Sequence, residues 1–484
     1  MKKFLTVLFL TGLLTTRIAA AENPAKTAGA GRAILGINDK QKRIVVTAVT
    51  ADGSAIQVEG CTVTKLPSGE RTVLTATGAK VILKGAITEL DCGGNRLTEL
   101  NVQGLTALQK LFCDDNLLTS LDVSDVTALQ SLSCGENLLT SLDVSSLTGL
   151  RELYCDRNHL SSLDVQSLTA LQDLFCNANK LTSLNVQDLK VLQRLHCNSN
   201  RLTSLDVRDL SALQELDCVG NELTSLDVHG VTALWELECS KNMLTLLDVQ
   251  SLTSLSKLDC SENQLISLDV RNLAALEELD CRDNKLTSLD VQGLNALQEL
   301  NCSENELTSL EIQGLKTLQK LNCYKNKLTS LNVQGLTALQ WLNCGYNELT
   351  TLNLKGLHAL RDLECFNNNL PELDVQDINT LQRLNCYHNK LSTLELSTLH
   401  GLQELCCYDN LFNEKTLIRI LTALPDRKQK KEGRALIYGK KNDLREGTIT
   451  DFSSSAELKA AFEAAKAKNW RFYKRDTVGN EEEV

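Results

Sequence analysis

One 21-residue phrase recurs without interruption through the middle of this 484-residue chain. Each copy carries a cysteine, and the series runs in steps of 21 residues from Cys92 to Cys407, which makes sixteen copies. A leucine lies two residues before each of these cysteines, and an asparagine lies three residues after it. A fixed period of roughly 20–50 residues is the signature of stacked repeats. The phrase therefore predicts an elongated solenoid.

Each repeat contains one Leu-x-Cys segment, which predicts a short strand. Strand neighbours alternate in direction, so the leucine and the cysteine both point into the core. Stacked turns cover each other's apolar edges, whereas the two ends of the stack need caps. With parallel strands about 4.8 Å apart, the array extends roughly 75 Å. It presents a long surface rather than a pocket.

The chain has eighteen cysteines, which in an exported protein raises the question of disulfides. Side chains stacked at about 4.8 Å exceed the usual Cβ separation of about 3.8 Å for a bridge. A ladder also presents its ligands from one direction, whereas zinc needs converging ligands. We therefore predict buried, reduced thiols. Cys61 and Cys406 lie off the ladder, and whether either forms a disulfide stays open.

The phrase Leu-x-Cys-x-x-Asn-x-Leu-Thr-x-Leu-Asp-Val resembles the repeats of internalin J-type cysteine-ladder leucine-rich-repeat surface proteins, including the related proteins of Gram-negative anaerobes. The resemblance covers residues 88–411. It implies a leucine-rich-repeat solenoid of the α/β class, with mostly parallel β-structure on the concave face. It also implies an extracellular, non-catalytic protein with an adhesive or virulence-associated role.

The first residues are typical of an exported protein. Lys2 and Lys3 precede an apolar run over residues 4–14, and three alanines at 19–21 offer a cleavage site. That run is too short to span a bilayer, and no later stretch is long and apolar enough. We expect an extracellular or cell-surface location and no transmembrane segment.

Both flanks of the array predict caps. Short β-branched runs such as "RIVVTAVT" and "KVILKG" predict an N-terminal β cap. After the array, a helix from Asn413 to Leu424, a strand near "ALIYG" and a second helix from Ser454 to about Lys468 predict an α/β cap. The predicted divisions are a signal peptide at 1–21, a linker at 22–41, the β cap at 42–87, the array at 88–411, the C-terminal cap at 412–476 and a disordered tail at 477–484.

Charge is divided unevenly along the chain. Residues 88–410 carry a formal net charge of −22, whereas the N-terminal flank carries +7 and the C-terminal flank +4. Because an acidic array repels phosphate backbones, nucleic acid is a poor partner. In the middle turns the residue before the cysteine is Asp217, Glu238, Asp259 or Asp280. This negative stripe on the concave face suits a cation-rich protein segment or a metal ion, or it serves solubility alone.

Aromatic residues make up only 4% of the chain, yet they gather in the last five turns. There they follow the ladder cysteine or occupy neighbouring outward positions. The candidate ligand-binding residues are Tyr324, Trp341, Tyr346, Phe366, Tyr387, His388 and Tyr408. Such a strip is typical of protein interfaces and also suits sugar faces. The alternative is an aromatic ladder that only stabilises the sheet.

No catalytic motif is present: the histidines are scattered, and there is no nucleophile elbow or phosphate loop. We therefore predict neither an enzyme nor a bound cofactor or metal. We expect a monomer that binds a host or bacterial surface protein or a glycan. The alternative function is a module for bacterial self-association, or for binding biofilm glycans, without a host ligand.

Overall fold

The computed structural model describes residues 31–439, 452–475 and 481–484. The predicted signal peptide lies outside these ranges. The chain enters the array through an N-terminal β unit, in which a five-stranded sheet has the order β4-β3-β6-β1-β8 and β2 pairs antiparallel with β5 and β7. The strands are β1 Arg32–Gly36, β2 Arg43–Thr50, β3 Ile56–Glu59, β4 Lys65–Leu66, β5 Thr72–Thr75, β6 Lys80–Lys84, β7 Ile87–Asp91 and β8 Glu99–Asn101.

The array is one parallel sheet that takes a three-residue strand from each successive turn after β7. Each strand ends one residue before its ladder cysteine, so it is centred on the leucine. The strands are β9 Lys110–Phe112, β10 Ser131–Ser133, β11 Glu152–Tyr154, β12 Asp173–Phe175, β13 Arg194–His196, β14 Glu215–Asp217, β15 Glu236–Glu238, β16 Lys257–Asp259, β17 Glu278–Asp280, β18 Glu299–Asn301, β19 Lys320–Asn322, β20 Trp341–Asn343, β21 Asp362–Glu364, β22 Arg383–Asn385 and β23 Glu404–Cys406.

The predicted solenoid and its buried cysteines are confirmed. All sixteen ladder cysteines, from Cys92 to Cys407, are buried and free, whereas Cys61 and Cys406 are partly exposed. The strand leucines lie beside them in one continuous core. Burial raises the pKa of the ladder thiols, for example that of Cys302 to about 12. The cysteine thus serves as a small apolar side chain at the point where each strand ends.

A buried asparagine fixes the turn that follows each strand. Asn221 donates from Nδ2 to the carbonyls of Cys197 and Cys218, at 3.1 and 3.0 Å, and its Oδ1 accepts from the Leu202 N–H at 2.9 Å. One side chain therefore satisfies backbone groups of two adjacent turns. The residue before the asparagine adopts a left-handed conformation, as Ser199 does with a φ of 54°. This tight turn directs that residue's side chain outward.

The C-terminal cap continues the parallel sheet and covers the open end of the core. β24 pairs with β23, and β25 pairs with β24. Asn413 caps the start of the first helix, and this helix ends just before Pro425, as the sequence predicts. The elements are α1 Glu414–Ala423, β24 Gly433–Gly439, α2 Ala456–Ala467, β25 Trp470–Arg475 and β26 Glu481–Glu483. No helix in the described ranges is long and apolar enough to cross a membrane.

Three local predictions differ from the structure. Residues 32–36, assigned to the linker, form β1, because Ala33 and Leu35 pack into the core of the β unit. Residues 481–483, assigned to the disordered tail, form β26, which pairs with the backbone edge that β25 would otherwise expose. The cap of α2 is Ser455, one residue beyond the predicted Ser454, and its hydroxyl accepts from the Leu458 N–H at 3.1 Å.

Candidate ligand-binding surface

The concave face is built from the first and third residues of each strand. In β17 the central Leu279 is buried, while Glu278 and Asp280 point away from the core. The same register holds from strand to strand, as Asp259 pairs with Asp280. Two outward rows therefore run along the solenoid, and their composition changes along its length.

The predicted acidic stripe lies on β14 to β17, on four adjacent strands. The sequence analysis did not anticipate Lys257, whose Nζ lies 2.7 Å from Glu236 and also contacts Glu238. Arg282 likewise pairs with Asp280 at 2.9 Å. Partial burial raises the pKa of Asp280 above its ordinary value. The stripe is therefore crowded and partly neutralised.

A shallow groove of about 380 Å³ extends from this stripe toward the aromatic end of the array. Its charged lining carries more carboxylates than lysines. Trp341, the first residue of β20, closes one end of it. The lining is formed by Glu238, Lys257, Leu258, Asp259, Glu278, Leu279, Asp280, Glu299, Leu300, Asn301, Lys320, Asn322 and Trp341.

The aromatic strip, defined here as Tyr324, Tyr346, Phe366, Tyr387 and Tyr408, follows the edge where the strands end. Phe366 and Tyr387 stack with ring centroids 4.8 Å apart, and Tyr387 and Tyr408 stack at 4.7 Å. Tyr346 meets Phe366 edge-on at 5.7 Å. Tyr324 meets Tyr346 edge-on at 5.4 Å, and together these contacts join the rings of five turns into one cluster.

In the turn of Cys344, the residue after the ladder cysteine is Gly345 rather than an aromatic residue, yet the strip stays continuous across this turn. A Cβ on Gly345 would lie 2.8 Å from the Phe366 ring, so glycine leaves the space into which that ring leans. Phe366 is consequently only 8% exposed. Tyr346 occupies the left-handed turn position, with a φ of 52°, and is 47% exposed. Tyr346 is therefore the ring most available to a ligand.

The other two candidate residues lie beside the strip. His388 occupies the same left-handed turn position as Tyr346, and its Nδ1 pairs with the buried carboxylate of Asp409. Trp341 lies on the concave sheet between Lys320 and Asp362 and faces the groove. The seven predicted residues thus form one edge cluster and one concave-face tryptophan.

A second aromatic cluster lies on the concave face of the N-terminal third, and the sequence analysis missed it. Tyr154 and Phe175 lie 5.0 Å apart, and Phe175 and His196 lie 4.2 Å apart. Arg194 covers Phe175 at 5.5 Å and holds Asp173 through two hydrogen bonds. The signal was present in the sequence, because all three rings immediately precede a ladder cysteine.

Nothing in the described part of the chain groups three or more metal-ligating side chains in a way that could hold an ion. Together, the parallel ladder, the asparagine turns and the outward rows define a leucine-rich-repeat solenoid, typically a binding scaffold rather than an enzyme.

Solved structures share this fold. The functional domain of InlJ from Listeria monocytogenes, which includes a cysteine ladder, is 34% identical over 69% of this chain and 76% of that domain, with a TM-score of 0.65. A leucine-rich-repeat protein of Leptospira interrogans is 26% identical over 69% of this chain and 81% of its own, with a TM-score of 0.50.

A third similar structure is the ectodomain of the Arabidopsis thaliana receptor kinase GASSHO1/SCHENGEN3 in complex with CASPARIAN STRIP INTEGRITY FACTOR 2. It is 25% identical over 69% of this chain and 45% of that one, with a TM-score of 0.59. No protein-family model and no curated protein matches the sequence. On the evidence of the shared ladder and the likeness to InlJ, this chain belongs to the internalin J-type cysteine-ladder leucine-rich-repeat proteins.

Proposed function

We propose that this chain is an exported or surface-exposed bacterial protein that binds a protein ligand at the C-terminal part of its array, in an adhesive or virulence-associated role. The observation that carries the proposal is the aromatic strip, which joins rings of five turns beside the concave face. Clustered aromatic residues dominate the binding energy of many protein interfaces.

The stacking geometry favours a protein ligand over a glycan. The planes of Phe366 and Tyr387 differ by 12°, and those of Tyr387 and Tyr408 by 4°. Within the stack, neighbouring rings therefore cover each other's faces, and the rings turn their edges outward. A sugar needs an open ring face to stack on, whereas protein side chains also pack against ring edges and accept hydrogen bonds from tyrosine hydroxyls.

The neighbouring groove suggests which part of a protein ligand enters it. Glu278, Asp259 and Asp280 supply negative charge, and the Trp341 ring lies at the end of the groove. Basic side chains of the ligand would find carboxylates along the groove and an aromatic ring at its end. In a related architecture, the plant receptor ectodomain was solved with a bound factor, CASPARIAN STRIP INTEGRITY FACTOR 2.

The test is binding of the purified protein to immobilised matrix proteins, mucin and a glycan panel by biolayer interferometry. We expect a protein to bind, and Tyr346→Ala with Trp341→Ala to weaken that binding by about tenfold or more. Trp235→Ala is the matched control, because Trp235 is also exposed but lies outside the strip and the groove. Binding of glycans alone, undiminished in the double variant, would instead support the glycan-binding alternative.

A further inference from the structure

A pocket of about 430 Å³ lies where the last turns meet the C-terminal cap, on the edge where the strands begin. This edge is opposite the aromatic strip, which follows the ends of the strands. Three cations contribute to the lining, and no carboxylate does. The lining residues are Arg361, Asn379, Thr380, Gln382, Gly401, Gln403, Arg427 and Lys430. The pocket is thus a local reversal of charge in an acidic array.

The nearby acids form their ion pairs with other residues, although the charge of Asp362 also acts on Arg361. Asp362 pairs with Arg383 at 2.7 Å, and Asp426 is directed toward Lys428. Within the described ranges, neither Arg361, Arg427 nor Lys430 forms an ion pair. Three cations that form no ion pair with the described residues raise the electrostatic potential of the pocket and favour an anion.

Arg427 is built into the wall of the pocket. It is only 4% exposed, and its Nη1 and Nε donate to the carbonyls of Leu402 and Lys431, each at 2.9 Å. Burial lowers the pKa of its guanidinium, which nevertheless stays charged near neutral pH. A buried charge held only by neutral carbonyls is expensive, and a bound anion would offset that cost.

The loop that carries Arg427 and Lys430 is fixed in place. Asn469, at the start of β25, donates from Nδ2 to the carbonyls of both residues, at 3.1 and 3.2 Å. The Lys430 N–H also donates to the Arg427 carbonyl at 2.9 Å. The loop backbone and the Arg427 side chain are therefore held in position before a ligand arrives, which reduces the entropy lost on binding.

The remaining lining is suited to hydroxyl groups. Gln403 donates to the Gln382 side-chain oxygen at 3.0 Å, so the Gln403 oxygen can accept and the Gln382 nitrogen can donate. Asn379 adds a further amide that both donates and accepts. No apolar side chain lines the pocket. This combination fits a sugar better than a peptide, whose aliphatic groups would find no partner.

We propose that this pocket binds an acidic sugar residue, with Arg361, Arg427 and Lys430 on its carboxylate or sulfate and the glutamine amides on its hydroxyls. The pocket is separate from the aromatic strip. It would give the protein a second, glycan-directed contact beside the protein-binding surface.

The test measures affinity by isothermal titration calorimetry for four probes: a hyaluronan tetrasaccharide, a chondroitin sulfate tetrasaccharide, neutral chitotetraose and a polyglutamate peptide. We expect at least one acidic saccharide to bind, with affinity that falls as salt rises. Comparing the first two probes shows whether the carboxylate suffices or the sulfate is required. Chitotetraose should bind at least about tenfold more weakly, since it lacks the anion.

The variant Arg361→Gln with Lys430→Gln should weaken binding by about tenfold or more, because both side chains are exposed and their loss leaves Arg427 and the fold in place. The control variant Arg201→Gln with Lys180→Gln removes the same charge from exposed positions in turns remote from the pocket. The proposal is overturned if no acidic saccharide binds, if polyglutamate or chitotetraose binds as tightly, or if the control loses as much affinity.

Discussion

Each turn of the array buries one cysteine and one asparagine, and the two side chains contribute in different ways. The cysteine fills an apolar position beside the strand leucine. The asparagine pairs with a backbone N–H that the turn would otherwise bury without a partner, and it adds a donor to a carbonyl in each of two turns. Replacing either residue in one turn therefore tests a different stabilising contribution.

Asn221→Ala should lower the free energy of unfolding by about 1–3 kcal/mol, because it leaves the Leu202 N–H buried and unpaired. It also removes one of the two asparagine donors from the carbonyls of Cys197 and Cys218, which keep their bonds to Asn200 and Asn242. Urea unfolding followed by circular dichroism measures the change. Asn295→Ala is the control, since Asn295 is exposed and its side chain has no such role. Equal losses in both variants would contradict the account of the turn.

The partly exposed thiols should be far more reactive than the buried ladder thiols. In the folded protein at pH 8, iodoacetamide should modify Cys61 and Cys406 alone, because burial shields the sixteen ladder thiols and raises their pKa. After denaturation without reductant, mass spectrometry should find all eighteen modified. Thiols that resist modification in the denatured, unreduced chain would show that the ladder is bridged.

At the scale of the strands, the concave sheet places several carboxylates close together, where partial burial disfavours their charged form. Burial raises the pKa of Asp280 in the folded protein, so the folded state holds its proton more tightly than the unfolded chain does. The contribution of Asp280 to stability therefore falls as pH rises through the raised pKa. It is most favourable below the ordinary aspartate pKa of about 3.9.

Asp280→Asn should accordingly raise the melting temperature at pH 7 and reduce the dependence of stability on pH above about 4. Asp269→Asn should instead lower the melting temperature at pH 7, because hydrogen bonds and charge from Arg271 lower the Asp269 pKa to about 2. Thermal unfolding at pH 4 and pH 7 compares the two. A destabilised Asp280→Asn at pH 7 would mean that its pairing with Arg282 outweighs the burial.

The sequence predicts the acidic stripe and the aromatic residues, but not how each is arranged. The period places Asp217 and its neighbours on one face, since every repeat has the same length. It does not show that Lys257 contacts two glutamates, because the rotamer of a long side chain determines which residues it contacts. It also does not show that Phe366 leans over Gly345, which depends on a space left by another turn.

At the scale of the whole molecule, stability comes from contacts between neighbouring turns. The strand hydrogen bonds and the asparagine bonds connect adjacent repeats in one register. For this reason the array was predictable from its period. The caps were less predictable. β1 forms by pairing with the distant strands β6 and β8, and β26 pairs with β25 although its glutamates have little preference for a strand.

Deleting residues 240–260 removes one complete repeat and should leave a folded, slightly less stable protein, because the flanking turns can pair in the same register. Deleting residues 240–249 should abolish cooperative unfolding of the array, since it breaks the register of every contact across the junction. Circular dichroism and urea unfolding distinguish the two. Equal stability of both deletion variants would contradict the nearest-neighbour account.

The central claim is that the protein engages its ligand at the C-terminal aromatic strip and the adjoining groove. Hydroxyl-radical footprinting with mass spectrometry tests it directly, with and without the protein ligand that binds in the immobilised panel. We predict that the ligand protects Tyr346 and Trp341 from oxidation and leaves the exposed Trp235 unchanged. Protection of Trp235 or of the Tyr154 cluster, with Tyr346 and Trp341 oxidised as in the free protein, would contradict the claim.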